Sequence, residues 1–352
     1  MRMVQTFLWV VVGLLAVQLV LLAVLIVGKQ KALKRQRKIA WVKGQVMPIY
    51  RQFIEAPEQK WMEPQLPSNK SIRQAAIEEM LIDFQETYKD QKERNRITDL
   101  AERHLAPRYQ SILKNGGWAE RINALYFIED FRIASLKEEV FSHFKSLAKQ
   151  DDEYWQCLRA AAILQEPKVV DVLFEESNLS VGFAKELLMR MDEELHQRIM
   201  ARMFMKDDAP ENLLYAFIML NGERKSERFF PFVEKLMTDE RKEVRIKAMK
   251  SLTHYGRLSD PKKLSAFFIS LFWEERMYAA KLAGACKLTD FKEQLIQLFT
   301  DPVWWVRFAA ADNLQEFEDG NALLHEIAST SEDAYARDVA RHMLTKKGGG
   351  NR

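Results

Sequence analysis

Four segments decide the fold: Val244-Arg245-Ile246-Lys247-Ala248, Glu275-Arg276-Met277-Tyr278-Ala279, Val306-Arg307-Phe308-Ala309-Ala310 and Ala336-Arg337-Asp338-Val339-Ala340. Their arginines follow one another at intervals of 31, 31 and 30 residues. Three positions after each arginine stands alanine (Ala248, Ala279, Ala310, Ala340), and seven after it an apolar residue (Leu252, Ala283, Leu314, Leu344). On a helix these share one face, and the small alanine lets a neighbouring helix approach closely. Six positions before each arginine stands Asp239, Ser270, Asp301 or Ser331, the residue types that cap helix N-termini; Pro302 would then occupy a first helical position.

Ahead of each expected cap lies a second amphipathic stretch: Val233, Leu236 and Met237, then Leu264, Phe267 and Phe268, then Leu295, Leu298 and Phe299. Each unit therefore reads as helix, short turn, helix. No unit can bury both faces alone, so the units must stack. Upstream, fragments of the pattern persist at Leu213 to Leu220, Arg159 to Ala162 and Arg121 to Ala124, with irregular spacing. Helical pairs are expected back to Ser71, where Ser71-Ile72-Arg73-Gln74 has the spacing of a capping box and no alternating strand pattern intervenes.

These repeats resemble HEAT repeats, and the short period with its VRxxA core is similar to the subtype named after phycobilisome lyases. The resemblance is specific over residues 225–346. It implies an all-α fold, a right-handed α-solenoid of stacked helical hairpins. It also implies a structural ladder between units built from Arg245, Arg276, Arg307, Asp239 and Asp301.

At the other end, Phe7 to Gly28 holds 22 residues with no charge and one polar interruption, Gln18. That length matches the roughly 20 residues a helix needs to cross a bilayer. A cleaved signal peptide fits less well, because the apolar run exceeds the usual ~7–15 residues and no small-x-small site precedes the basic cluster. That cluster, Lys29, Lys31, Lys34, Arg35, Arg37 and Lys38, faces only Arg2 and the amino terminus across the span. The asymmetry places the N-terminus outside and the repeat domain in the cytoplasm of a single-pass protein at the cell membrane. The cluster is suited to contact anionic headgroups, or simply to fix topology.

Residues 1–6 thus form a short extracytoplasmic tail, 7–28 the transmembrane helix and 29–70 a basic juxtamembrane segment and spacer. Residues 71–224 hold degenerate helical repeats, 225–346 regular ones, and 347–352 a flexible tail. The spacer carries Pro48, Pro57, Pro64 and Pro67, which bar a long helix from its second half. Its first half, with Trp41, Val42, Ile49, Tyr50 and Phe53, is expected either along the membrane interface or against the first repeat.

The chain carries a net charge of +3, but residues 1–38 contain seven cations and no acid, which leaves residues 39–352 at −4. A folded part of that sign disfavours nucleic acid as a partner, since such binding needs a basic face. Cys157 and Cys286 sit in apolar helical contexts and read as buried reduced thiols. The six histidines show no metal-binding spacing, no phosphate-cradling glycine motif occurs, and no cofactor is expected. Ser142 to Lys145 and Ser146 to Lys149 match SxxK, a short pattern without its companion motifs.

At 100° per residue, positions +1 and −2 relative to each arginine point away from the helix's core face. Ile246, Met277 and Phe308 stand at +1, Trp305 at −2, and Trp273 and Trp304 at −3. Singly each reads as packing between repeats; as a row they form an apolar ridge suited to a protein partner. The expected function is a membrane-anchored, non-enzymatic scaffold for a membrane-associated enzyme or envelope assembly. The alternatives are an enzyme like the bilin lyases and isomerases that share the repeat subtype, and a nucleic-acid-binding helical repeat.

Overall fold

A computed structural model describes residues 2–56, 58, 62–67, 69–148, 150–176, 178–205 and 209–348. Among them there is no strand. The chain is all-helical and falls into two compact units, Met1–Glu166 and Pro167–Arg352.

The first unit contains α1 (Arg2–Glu55), α2 (Lys70–Thr87), α3 (Gln91–Asn115), α4 (Trp118–Phe131), α5 (Lys137–Ser146) and α6 (Asp152–Ile163). The 54 residues of α1 make a single rod about 80 Å long at 1.5 Å per residue. Its N-terminal part is long and apolar enough to cross a membrane, and none of that apolar window is buried in the protein. Its C-terminal part is part of the fold. Ile39, Val42, Val46, Tyr50 and Ile54 recur at helical spacing and are all buried, Ile39 and Val42 against Ala76 of α2.

Of the two placements expected for the first half of the spacer, the structure shows the docked one: it is the end of α1, packed against α2, and the helix runs straight through Pro48. The proline ring, which would crowd the carbonyl four residues earlier, faces solvent on the same side as Gly44. The buried stripe on either side holds the helix in place.

The second half has a geometric task. Arg35 reaches Ser71, Lys43 pairs with Asp83 at 2.6 Å, and Tyr88 donates to Glu55, so α1 and α2 run in the same direction. The connection must return about 30 Å along α1, which a helix of its length could not span and an extended chain at about 3.3 Å per residue can. Residues 62–67, with Pro64 and Pro67, are accordingly non-helical; Pro57 lies outside the described residues. The start of α2 also shifts. Its cap is Asn69, whose Oδ1 accepts from Ile72 N at 3.1 Å, and not Ser71, which lies inside the first turn.

The second unit contains α7 (Val169–Glu175), α8 (Val181–Arg190), α9 (Glu193–Met205), α10 (Glu211–Glu223), α11 (Phe230–Lys235) and α12 (Lys242–Tyr255). It continues with α13 (Ser265–Phe268), α14 (Trp273–Ala285), α15 (Lys292–Gln297), α16 (Trp304–Leu314), α17 (Gly320–Thr330) and α18 (Ala334–Gly348). The longer helices α8, α10, α12, α14, α16 and α18 pack each against the next. Their partners α11, α13 and α15 are short, extended by single 3-10 turns. Ala248, Ala279, Ala310 and Ala340 are fully buried along the row, as the spacing requires. The approach is closest at glycine: a Cβ on Gly284 would lie 2.5 Å from the Asn313 side chain. In the last repeat Met343 is buried and Leu344, the residue seven after the arginine, is half-buried.

Ends of successive long helices repeat as faithfully as their centres. Lys225, Gly256 and Lys287, each 31 residues apart, all adopt positive φ (49°, 65° and 51°) where the chain reverses after α10, α12 and α14. Only glycine enters that region without steric cost. Lys287→Gly is therefore expected to stabilise the protein by about 0.5–1 kcal/mol, the roughly 1–2 kcal/mol of relieved strain exceeding glycine's added unfolded-state entropy. Chemical denaturation checks this; a destabilised variant would contradict it.

Candidate partner-binding face

The arginines that mark the repeat are fastened at their own turns. Each sends Nη1 to the carbonyl six residues earlier: Arg245 to Asp239 O (2.9 Å), Arg276 to Ser270 O (2.7 Å), Arg307 to Asp301 O (2.6 Å) and Arg337 to Ser331 O (2.7 Å). These turn residues were expected as helix caps, but α12, α14 and α16 begin three residues later, at Lys242, Trp273 and Trp304. Asp239, Ser270 and Asp301 instead accept from the backbone N–H two residues on, closing the turn before the helix. Pro302 lies in that turn and not at a first helical position, and in the last copy Asp333 accepts from Ala336 N.

The rest of the guanidinium reaches the next repeat. Arg276 grips Asp301 with Nε and Nη2 at 2.6 and 3.0 Å. Serine replaces aspartate at position 270, so Arg245 pairs with Glu275 at 2.7 Å, and Ser270 Oγ donates to the same carboxylate at 2.5 Å. Arg121 repeats the geometry in the first unit, with Nη1 on Gly116 O and both remaining arms on Glu153 at 2.5 and 2.9 Å. Burial alone would push the Glu153 carboxyl up, but the hydrogen bonds from Arg121 and His143 outweigh it and hold it below the usual carboxylate range.

Two members expected in this ladder behave differently. Asp239 is gripped by Arg241 of its own turn, at 2.9 and 3.0 Å. Arg307 meets no carboxylate among the described residues; its guanidinium lies over the Tyr335 ring at 5.0 Å.

The expected apolar ridge is only partly exposed. Ile246 is 8% accessible, because α12 lies between α10 and α14, so its +1 position faces a neighbouring helix and not solvent. Trp273, Met277 and Phe308 are half-buried. Trp304 and Trp305 are open to solvent, their rings 4.7 Å apart, with Phe308 5.0 Å from Trp304. Sequence reasoning missed the larger part of the patch. Ile269, Leu271 (95% accessible) and Phe272 protrude from the turn before α14, and Tyr335 from the start of α18. The available signals were the apolar type of Leu271 and Phe272 inside a turn where the preceding copy has Glu240 and Arg241, and the place of Tyr335 two before Arg337. The exposed face is thus the turn edge of the last three repeats. The basic cluster Lys29, Lys31, Lys34, Arg35, Arg37 and Lys38 lies along α1, every member exposed.

Potentially reactive groups are arranged structurally. Cys157 is buried, which pushes its thiol up; Cys286 is half-buried, a departure from the expectation, and burial pushes it up to about 11. A cavity of about 670 Å³ in the first unit is lined by Arg121, Glu138, Glu139, Ser142, His143 and Ser146 among others. There Ser146 Oγ donates to the His143 carbonyl and Lys145 lies over the Phe141 ring; Lys149 is outside the described residues. Among the described residues no group of three or more His, Cys, Asp or Glu could hold a metal ion.

Comparison with known proteins adds one firm match. A family model for the HEAT repeat matches residues 292–319, which hold α15, its turn and α16. No curated protein matches the chain. Two crystal structures of engineered proteins align over 78% and 87% of this chain and 97% and 89% of their own, at 15% and 14% identity and TM-scores of 0.23 and 0.25.

The ladder makes two predictions. Asp301→Ala strands the largely buried Arg276 and is expected to cost about 3–5 kcal/mol. Glu227→Ala, which breaks an exposed pair with Arg257, should cost about 0–1 kcal/mol in the same denaturation assay. Burial lowers the pKa of both His104 and His196, so the unfolded chain binds their protons first. Stability is then complete above about pH 6.5 and falls below it, by at most about 1.4 kcal/mol per pH unit for each histidine. Denaturation at pH 7.5 and 5.5 should show that slope, reduced in His196→Asn.

Proposed function

We propose that this protein is a scaffold that holds a protein partner at the cytoplasmic face of the cell membrane, with α1 as its single-pass anchor. The observation that carries the reading is the continuity of α1 from an apolar, unburied segment into the packed core of the first unit. A mobile tether would localise a domain; a helix also fixes its height. Gly28 and the first buried residue, Ile39, are separated by about 16 Å along the axis, with six exposed cations between them. That is the depth of a headgroup layer and a short clearance.

A binding role is supported by the exposed turn edge. Leu271, Phe272, Trp304, Trp305 and Tyr335 are large apolar side chains open to water, the composition found at the centres of protein interfaces. The match of one repeat to the HEAT family agrees with a scaffold role and supplies no reaction. A membrane-associated enzyme or envelope assembly is the partner class that an anchored scaffold would serve, since confinement to one surface raises the effective concentration of both.

Two measurements test the reading separately. The full-length chain should remain in the membrane pellet after alkaline carbonate extraction; release into the supernatant would remove the anchor. Trp305→Asp combined with Leu271→Asp should weaken capture of a crosslinked membrane partner by about 100-fold with helicity unchanged, in line with loss of two central apolar contacts. Unaltered capture would remove the proposed face.

A further inference from the structure

The arginine ladder has an internal rule, and the rung at Arg307 breaks it. Arg121, Arg245 and Arg276 each place Nε on a carboxylate from the next long helix or the turn before it. Those acceptors come from two positions only. Glu153 and Asp301 stand six residues before the following arginine, Arg159 or Arg307, and Glu275 stands one before Arg276. After Arg307 the equivalent positions, counted from Arg337, hold Ser331 and Ala336, neither of which carries an acid.

The consequence is visible at the atom. Arg307 is 8% accessible, its Nη1 is satisfied by Asp301 O, and its Nε has no hydrogen-bond partner among the described residues. A buried unpaired donor on a charged group is costly, and the Tyr335 ring 5.0 Å away offers attraction to the charge without a hydrogen bond. Tyr335 is itself mostly exposed and can swing aside, whereas Arg307 is fixed by its turn.

We infer that this rung is a binding site for a carboxylate supplied by the partner: an acidic side chain, or a chain end, flanked by apolar residues. The carboxylate would take from Arg307 the bond that Asp301 takes from Arg276. The neighbouring residues of the peptide would lie on Trp304, Trp305 and Tyr335. This deepens the scaffold reading and rests on it, adding the chemistry of the group recognised. Since Arg307 is buried and its fork is rigid, the site selects charge at one point while the aromatic edge tolerates varied apolar neighbours.

The test uses the full-length protein in nanodiscs and dye-labelled, end-capped peptides, Gly-Leu-Glu-Leu-Gly and its glutamine counterpart, read by fluorescence anisotropy. The glutamate peptide is expected to bind at least about tenfold more tightly, the worth of one charge-assisted hydrogen bond. The glutamine peptide with a free C-terminus shows whether a chain end serves in place of a side chain. Ser331→Asp restores an acid at the ladder position, so it should raise the melting temperature and cut the glutamate preference to about twofold or less. Equal affinity for the two capped peptides overturns the inference, as does a preference that persists in Ser331→Asp. A melting temperature that does not rise overturns the equivalence of the rungs on which it stands. If the peptides show no preference while Trp305→Asp with Leu271→Asp still abolishes partner capture, the scaffold survives and only the carboxylate site is lost.

Discussion

One arginine per repeat, held at three points where the next unit supplies an acid, as at Arg276, is the interaction on which the array depends. Its Nη1 closes the turn of its own hairpin, and its Nε and Nη2 engage an acid belonging to the next. The bond is thus local and inter-repeat at once: the guanidinium that completes one turn fixes the angle at which the following unit docks. Apolar burial supplies most of the free energy, since Ala279, Ala310, Leu282 and Leu314 lie fully buried between adjacent long helices. That burial is indifferent to small slides of one helix along another. The planar, two-armed ion pair is not, and in a largely buried setting its breakage is expensive enough to exclude them.

Much of this could be read from the amino-acid string. The 31-residue spacing, the buried alanines and the apolar stripes of the preceding helices come from a period that sequence displays directly, because packing repeats whenever the unit repeats. Legibility failed where the answer depended on a neighbour. Ile246 stands on the side of α12 that helical geometry turns from the core, yet it is buried in an α12 packed between α10 and α14. Asp239 and Asp301 share a residue type and a position, yet one serves its own turn and the other the preceding repeat. Whether the first half of the spacer lies on a membrane or on the first repeat also depended on a neighbour, and the burial of Val46 and Tyr50 on either side of Pro48 answers it.

The exposed turn edge shows a different limit. Leu271 and Phe272 fell outside the positions that helical geometry marks as outward-facing, since a turn has no period to extrapolate, whereas Tyr335 stands at the marked −2 position of the last copy. Their significance lies in contrast with the first regular repeat, whose corresponding turn is charged. A row that changes from charged to apolar along otherwise equivalent sites is under a demand other than folding, because the fold treats those sites alike. The same logic singles out Arg307: the repeat supplies an arginine by rule, and the next copy carries no acid at either ladder position.

A final consequence concerns the ten residues between Gly28 and Ile39, which are helical throughout. A rod of this kind transmits angle as well as distance. Each residue added or removed there would turn the first unit by about 100° around the axis of α1 while moving it only about 1.5 Å along that axis. Azimuth is therefore far more sensitive to chain length than height is. With α1 as the proposed anchor, the number of residues in this short charged segment would dictate which flank of the first unit looks along the plane of the bilayer, as the thread of a screw dictates where its slot comes to rest.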